Sequence, residues 1–261
     1  MVRWETERRL DKFFSDLEHA SRRILLLDYD GTLAPFREER NQAEPYPGIR
    51  YRLKQLLDLK STRVVIISGR WSKHLIPLLG LAEIPEIWGS HGAERVMPDR
   101  SIQLVELNEE VIKGLTEADH WGESEGLADT MERKPAGLAF HWRGLDTSRA
   151  ERIRQRIEEH WINRVARHRL ELHEFDGGVE LRAADVSKGQ AVQKILEEAP
   201  DDAMVAYLGD DLTDEDAFKA LDGRGLRVLV RKDYRDTDAD VWIRPPEELL
   251  DFLDHWIIAT A

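Results

Sequence analysis

Short apolar runs that stop abruptly in acidic or small residues constrain this chain most. ILLLDYDGTLAPF (24–36), RVVIISGR (63–70), IPEIWGSHGAERV (84–96) and AMVAYLGDDLTDEDAFKAL (203–221) all follow this pattern, and LRVLV (226–230) adds a further run. Unbroken runs of four to six apolar residues, as in ILLL, VVII and AMVAYL, predict strands buried on both faces, as in a parallel sheet. The segments between them have helical apolar spacing: PGIRYRLKQLLDLK (47–60), SKGQAVQKILEEA (187–199) and ELLDFLDHWIIA (248–259). WSKHLIPLLG (71–80) reads as a helix broken or capped near Pro77 and Gly80, and residues 2–20 as an amphipathic leading helix. Strand, loop and helix in repetition predict an α/β fold, a Rossmann-like parallel sheet covered by helices. Ligands bind such sheets outside the carboxyl ends of their strands.

The stretch 99–181 breaks this rhythm. GLAFHWRG (137–144) reads as a short strand, SRAERIRQRIEEHWINRVA (148–166) as a charged helix, and RLELHEFDGGVELRAA (169–184) as a hairpin turning at Asp-Gly-Gly. The expectation is an inserted α+β domain over 99–181, within a core made of 1–98 and 182–261.

The chain has 261 residues, a formal net charge of −13 and no cysteine. Disulfides, thiolate metal sites and thiol catalysis are therefore excluded. The acidic balance argues against nucleic-acid or anionic-membrane partners. The charged N-terminal segment lacks the apolar stretch of a signal peptide, and no run approaches membrane-spanning length, so a cytoplasmic protein is expected.

The chemistry-bearing residues fall at the predicted strand ends. Asp28 and Asp30 flank Tyr29 in DYDGT; such a pair can hold a hard divalent cation, attack phosphorus or move a proton, but also suits a plain turn. Ser68 could donate to phosphate oxygens or cap a helix. Lys188 opens a predicted helix, where amides and dipole favour an anion; a surface lysine is the plainer reading, weakened because Lys supplies only ten of 38 basic residues. GDDLTDED (209–216) places five carboxylates in eight residues, which repel one another unless a cation or water intervenes. Asp210 would sit at the strand end, and Asp214, Glu215 and Asp216 in a helix's first turn.

In combination and order, these segments resemble the four motifs of the haloacid dehalogenase superfamily. LDYDGTLAPF, VVIISGR, GSHGAE, the ERK at 132–134, HWR at 141–143, SKG and GDDLTDEDAF together resemble the trehalose-6-phosphate phosphatase family, over nearly the whole chain. The resemblance implies a haloacid-dehalogenase-type core with a cap that closes over a sugar. It implies Asp28 as nucleophile and Asp30 as acid and base, with Mg²⁺ held by Asp28, the Asp30 carbonyl and Asp210. Asp211 and Asp214 would support that shell, and Ser68 and Lys188 would bind the phosphoryl group. Glu132, Lys134 and Glu180 would bind sugar hydroxyls, with Gly69, Arg70, His91, Gly92, His141 and Arg143 as further substrate contacts. Without the resemblance, ERKPAG reads as a solvated charge cluster before a strand. His-Trp-Arg at 141–143 departs from the family's usual His-Tyr-Arg, removing a hydroxyl at Trp142. The implied substrate is trehalose 6-phosphate, with functional pairing to a trehalose-phosphate synthase; the alternatives are another glycosyl phosphate or a non-catalytic regulatory domain.

Overall fold

The structure, a computed structural model, describes residues 3–37, 39–175 and 177–261. Val2 of the expected leading helix and Asp176 of the expected hairpin turn lie outside them. The chain divides into two compact units, Met1–Gln103 with Ser187–Ala261, and Leu104–Val186. These limits fall a few residues beyond the 99–181 read from the sequence pattern, because Ile102–Leu104 still belongs to the large sheet and the last strand of the insertion runs on to Ala183.

The first unit starts with α1 (Arg3–His19), β1 (Arg23–Leu27), α2 (Ile49–Leu59), β2 (Arg63–Ile67), α3 (Ser72–Leu79), β3 (Glu86–Gly89), β4 (Glu94–Val96) and β5 (Ile102–Leu104). The second unit holds α4 (Glu109–Ser124), β6 (Met131–Lys134), β7 (Gly137–His141), α5 (Thr147–Trp161), β8 (Leu170–Phe175) and β9 (Gly178–Ala183). The first resumes with α6 (Lys188–Glu197), β10 (Met204–Gly209), α7 (Asp214–Ala220), β11 (Leu226–Val230), β12 (Val241–Ile243) and α8 (Glu247–Thr260).

The large sheet has the order β12-β11-β10-β1-β2-β3-β4-β5. Pairing is parallel from β12 to β3, and β4 turns back antiparallel on β3. Successive residues of β1 feed two cores, as alternation in a doubly covered sheet requires. Leu25 and Leu27 join Phe13, Leu53, Ile66 and Trp256 of the helices and strands on one side. Ile24 and Leu26 join Val192, Ile195, Tyr207 and Phe218 on the other. The chain winds outward from β1 through β2 and β3, then returns on β1's other side at β10. The gap between β1 and β10 is thus the topological switch point, where a crevice forms beyond the strand ends.

Several elements differ from the sequence expectation. α3 is not broken at Pro77 but runs through it to Leu79; the expected cap at Gly80 is present, with a left-handed φ of 62°. α5 stops at Trp161 rather than 166, since Ile162, Asn163 and Val165 are weak helix formers. ERKPAG is solvated only in part: Met131–Lys134 is strand β6, with Arg133 exposed and the Lys134 side chain buried. Helix α4 gave no apolar signal because its buried face is Val111, Gly114, Ala118 and Gly122. A Cβ on Gly114 would lie 2.5 Å from that of His168, and one on Gly122 2.6 Å from the Met131 sulfur. Close packing there selects residues too small to register as hydrophobic.

In the second unit the sheet order is β6-β7-β9-β8, all antiparallel. Leu138, Phe140, Val179 and Leu181 share one face, and Trp121 of α4 meets Phe140 edge-on.

Candidate active site

Asp28 follows β1 directly, and its amide donates to the Leu208 carbonyl of β10 (2.9 Å). This ties the DYDGT loop to the switch point. Lys188, first residue of α6, reaches in with its ammonium 2.6 Å from Asp28 Oδ1 and 2.6 Å from Asp214 Oδ1. All three side chains are buried. Lys188 is therefore no surface lysine. Burial disfavours its charged form, but Asp214 and Asp28 more than offset this and raise its pKa.

Asp214 is saturated. Its Oδ1 also accepts from the Tyr207 hydroxyl (2.6 Å), and its Oδ2 accepts from the amides of Asp210 (3.0 Å) and Asp211 (2.9 Å). Asp210 is different: its Oδ1 is buried with no hydrogen-bond partner. Burial, with Asp28 and Asp214 adding to it, pushes the Asp210 carboxyl up to about 10. Burial pushes Asp28 up to about 7 against the pull of Lys188. One carboxylate oxygen each from Asp28, Asp210 and Asp214 lie within 4.8 Å of one another, a spacing that could hold a metal ion. The orphaned Asp210 oxygen and the strained charge state of the pair fit a hard cation, which would favour the ionised forms. Since hydrogen bonds occupy both Asp214 oxygens, Asp28 and Asp210 are the better direct ligands. Gly31 makes their approach possible, because a Cβ there would stand 2.1 Å from Asp210 Oδ2, at a φ of +84°.

Asp30 is gripped by Arg70, with Nε 2.6 Å from Oδ2 and Nη2 2.6 Å from Oδ1. This planar fork orients the carboxylate. Sequence reading placed Arg70 as a substrate contact; in the structure its guanidinium pairs with Asp30. Ser68 Oγ accepts from the Arg70 amide (3.1 Å), which leaves its own proton to donate. The 68–70 loop is laced to the turn after β3: Ser68 amide to Trp88 carbonyl, Ser90 amide to Arg70 carbonyl, His91 amide to Ser68 carbonyl. Ser90 and His91 both adopt left-handed φ, 49° and 60°. Such geometry costs non-glycine residues roughly 1–2 kcal/mol each, offset here by those three bonds. It brings the His91 ring within 2.6 Å of where a Gly69 Cβ would be, and Gly92 against the Ser187 carbonyl at the start of α6.

The second unit carries its own polar row. Cross-strand register aligns Glu132, Ala139, Glu180 and His173 on one face, and Lys134, Gly137, Arg182 and Glu171 beside them. Glu132 Oε2 meets His141 Nε2 at 2.8 Å. Lys134 Nζ pairs with Glu180 Oε1 at 3.0 Å, both side chains about 5% exposed or less. Arg143 follows β7, and its amide donates to the Gly177 carbonyl (3.2 Å). The expected site residues thus form two groups: Asp28, Asp30, Ser68, Gly69, Arg70, His91, Gly92, Lys188, Asp210, Asp211 and Asp214 in the first unit, and Glu132, Lys134, His141, Arg143 and Glu180 in the second.

Sequence reading missed Tyr207, Arg231 and Arg235, and gave Glu215 only as an acidic residue of a helix's first turn. Tyr207 carried one usable signal, a hydroxyl inside an apolar strand just before the acidic loop. Arg231 and Arg235 carried none; they donate to the Asp210 carbonyl from a connection without any recognisable pattern.

The trehalose-phosphatase family profile matches residues 26–239. The bifunctional trehalose-6-phosphate synthase/phosphatase of Thermoproteus tenax is 34% identical over 234 residues, covering 88% of this chain and 31% of that protein. The trehalose-phosphate phosphatase of Mycobacterium marinum is 32% identical over 224 residues, 80% of this chain and 54% of the relative. The chain therefore spans only part of these relatives. Among solved structures, Aspergillus fumigatus trehalose-6-phosphate phosphatase is similar with a TM-score of 0.68 at 26% identity, covering 96% of this chain and 98% of that one. The C-terminal domain of the C. albicans trehalose-6-phosphate phosphatase shares the fold, with a TM-score of 0.75 at 23% identity over 95% of this chain and 96% of that one.

Proposed function

Since the chain belongs to the trehalose-phosphatase family, we propose that it hydrolyses trehalose 6-phosphate to trehalose and phosphate, through a phosphoryl group carried on Asp28. The observation that carries this reading is the buried Lys188–Asp28 pair beside the unpartnered Asp210 oxygen, at the switch point of the sheet. A nucleophile, a fixed cation and a vacant acceptor within one crevice suit phosphoryl transfer, where positioning and charge neutralisation do most of the work.

The residues divide the reaction as follows. Lys188 occupies Asp28 Oδ1, which leaves Oδ2 to attack phosphorus in line. The phosphorus–oxygen bond to the sugar breaks as the new bond to Asp28 forms, and Asp30 gives its proton to the departing sugar oxygen. Asp30 then takes a proton from water as that water attacks phosphorus, and the bond to Asp28 breaks. Ser68 and Lys188 donate to the phosphoryl oxygens, and Arg70 keeps Asp30 aimed. Mg²⁺, held by Asp28, Asp210 and the Asp30 carbonyl, would neutralise phosphoryl charge. In the second unit, Glu132 and Glu180 accept from sugar hydroxyls while Lys134 donates, with His141 and Arg143 as further polar contacts. The Thermoproteus tenax relative, named as both synthase and phosphatase, supports a functional link to a trehalose-phosphate synthase. Among the described residues no helix is long and apolar enough to cross a membrane.

A panel of sugar phosphates read by phosphate release tests the substrate. Trehalose 6-phosphate should be turned over best. Failure on it, beside good turnover of a glucosyl- or mannosyl-phosphoglycerate, would replace the substrate and keep the chemistry. Failure on all would favour a non-catalytic domain.

A further inference from the structure

The connection between β11 and β12, residues 231–240, has no part in the chemistry above, yet it grips the loop that presents Asp210. Arg235 Nε donates to the Asp210 carbonyl (3.2 Å) and Nη2 to the Asp211 carbonyl (2.7 Å). Its Nη1 pairs with Glu215 and donates to the Asp236 carbonyl (2.9 Å). Arg231 adds a second bond to the Asp210 carbonyl (3.3 Å). Glu215 is held in turn by the Thr237 hydroxyl (2.8 Å) and the Asp238 amide (2.8 Å).

The peptide joining Asp210 to Asp211 is thus clamped at both ends. Asp214 takes its N–H, and the two arginines take its C=O. Asp214 also holds the amide of Asp210 itself. With both of its flanking peptides fixed, Asp210 has little backbone freedom, and its carboxylate direction is set before any ligand arrives.

We propose that the 231–240 connection is a strap that preorganises Asp210 for a divalent cation, with Arg235 as its positioning residue. The inference rests on the reading of Asp28 and Asp210 as metal ligands. Arg235 is suited because one planar guanidinium can serve several acceptors at fixed angles, which a lysine cannot. Electrostatics alone makes the opposite prediction. A guanidinium beside the loop repels a cation, so if its charge were all that mattered, removing it would tighten metal binding. Positioning requires that removal loosen it.

The test is calorimetric titration of Mg²⁺ alone into the metal-free full chain, as wild type, Arg235→Gln and Arg235→Lys. Both variants should bind Mg²⁺ about tenfold or more weakly, in line with losses on removing groups that orient ligands. The Mg²⁺ concentration for half-maximal phosphate release should rise by the same factor, while unfolding without Mg²⁺ stays close to wild type. If Arg235→Gln does not fold, Glu215→Gln and Thr237→Val loosen the same strap from its far end and should show a smaller shift in the same direction. Unchanged or tighter binding in folded variants, or full rescue by Arg235→Lys, overturns the strap alone. No Mg²⁺ binding by the wild type overturns the metal reading and the strap together.

Discussion

At the scale of single residues, the site is a set of carboxylates told apart by their hydrogen bonds. Asp214 has four donors on two oxygens and serves to hold Lys188 and the acidic loop. Asp210 keeps an unpartnered oxygen, and Asp28 keeps one oxygen clear of Lys188. Asp28→Asn preserves shape but removes the nucleophilic charge, so turnover should fall by roughly 10⁴-fold or more, with thermal unfolding near that of wild type; wild-type-like phosphate release would refute the nucleophile. The sequence pointed to Asp28, Asp30, Ser68, Lys188 and Asp210 because each stands where an apolar run stops or a helix starts. It ranked Asp210 above Asp214 by strand-end placement and family resemblance, without the physical reason. That reason lies in a tyrosine hydroxyl, two amides and a lysine that meet only in three dimensions.

At the scale of elements, legibility followed hydrophobicity. β1, β2, β10 and β11 were readable as continuous apolar runs because both sheet faces are buried. α4 was unreadable because close packing demanded Gly and Ala on its buried face. β6 was hidden for another reason: its Glu132 and Lys134 look solvated in sequence, whereas Lys134 pairs with Glu180 on the neighbouring strands' face. That face makes a testable claim. Glu132→Ala and Glu180→Ala should lower kcat/KM for trehalose 6-phosphate by on the order of 10–100-fold, as for loss of charged hydrogen bonds, while hydrolysis of a small aryl phosphate changes little. Equal losses on both substrates would show the face to be structural only. The loop after β1 makes another. Gly31→Ala would push a methyl into Asp210, 2.1 Å from its Oδ2, at a backbone angle that also disfavours alanine. Activity should collapse and Mg²⁺ should no longer stabilise the variant; an active Gly31→Ala enzyme would contradict the placement of Asp210 in the site.

At the scale of the whole molecule, uncompensated acid in the crevice sets how stability varies with pH. Asp28 and Asp210 have folded pKa values raised to about 7 and about 10, against an ordinary 3.8. The folded state therefore holds their protons longer than the unfolded chain does. Their favourable contribution is complete below about pH 4 and is lost as pH rises, through about 7 for Asp28. Lys188, raised above its ordinary value, keeps its proton throughout that window. The unfolding temperature of the metal-free protein should thus receive a falling contribution from these groups between about pH 4 and 7, and Mg²⁺ should restore more at the upper end, because it binds the ionised forms. A stabilisation by Mg²⁺ that is independent of pH would argue against these ligands. Chelation at neutral pH should stop phosphate release, and added Mg²⁺ should restore it.

The central proposed step passes a phosphoryl group from the sugar to Asp28. Rapid acid quench of the enzyme during turnover of phosphorus-labelled trehalose 6-phosphate, followed by peptide mapping, observes that step. A label on the peptide containing Asp28, appearing and decaying at least as fast as phosphate is released and absent in Asp28→Asn, is the predicted result. Label on another residue, or phosphate release from trehalose 6-phosphate by Asp28→Asn at the wild-type rate, would contradict it.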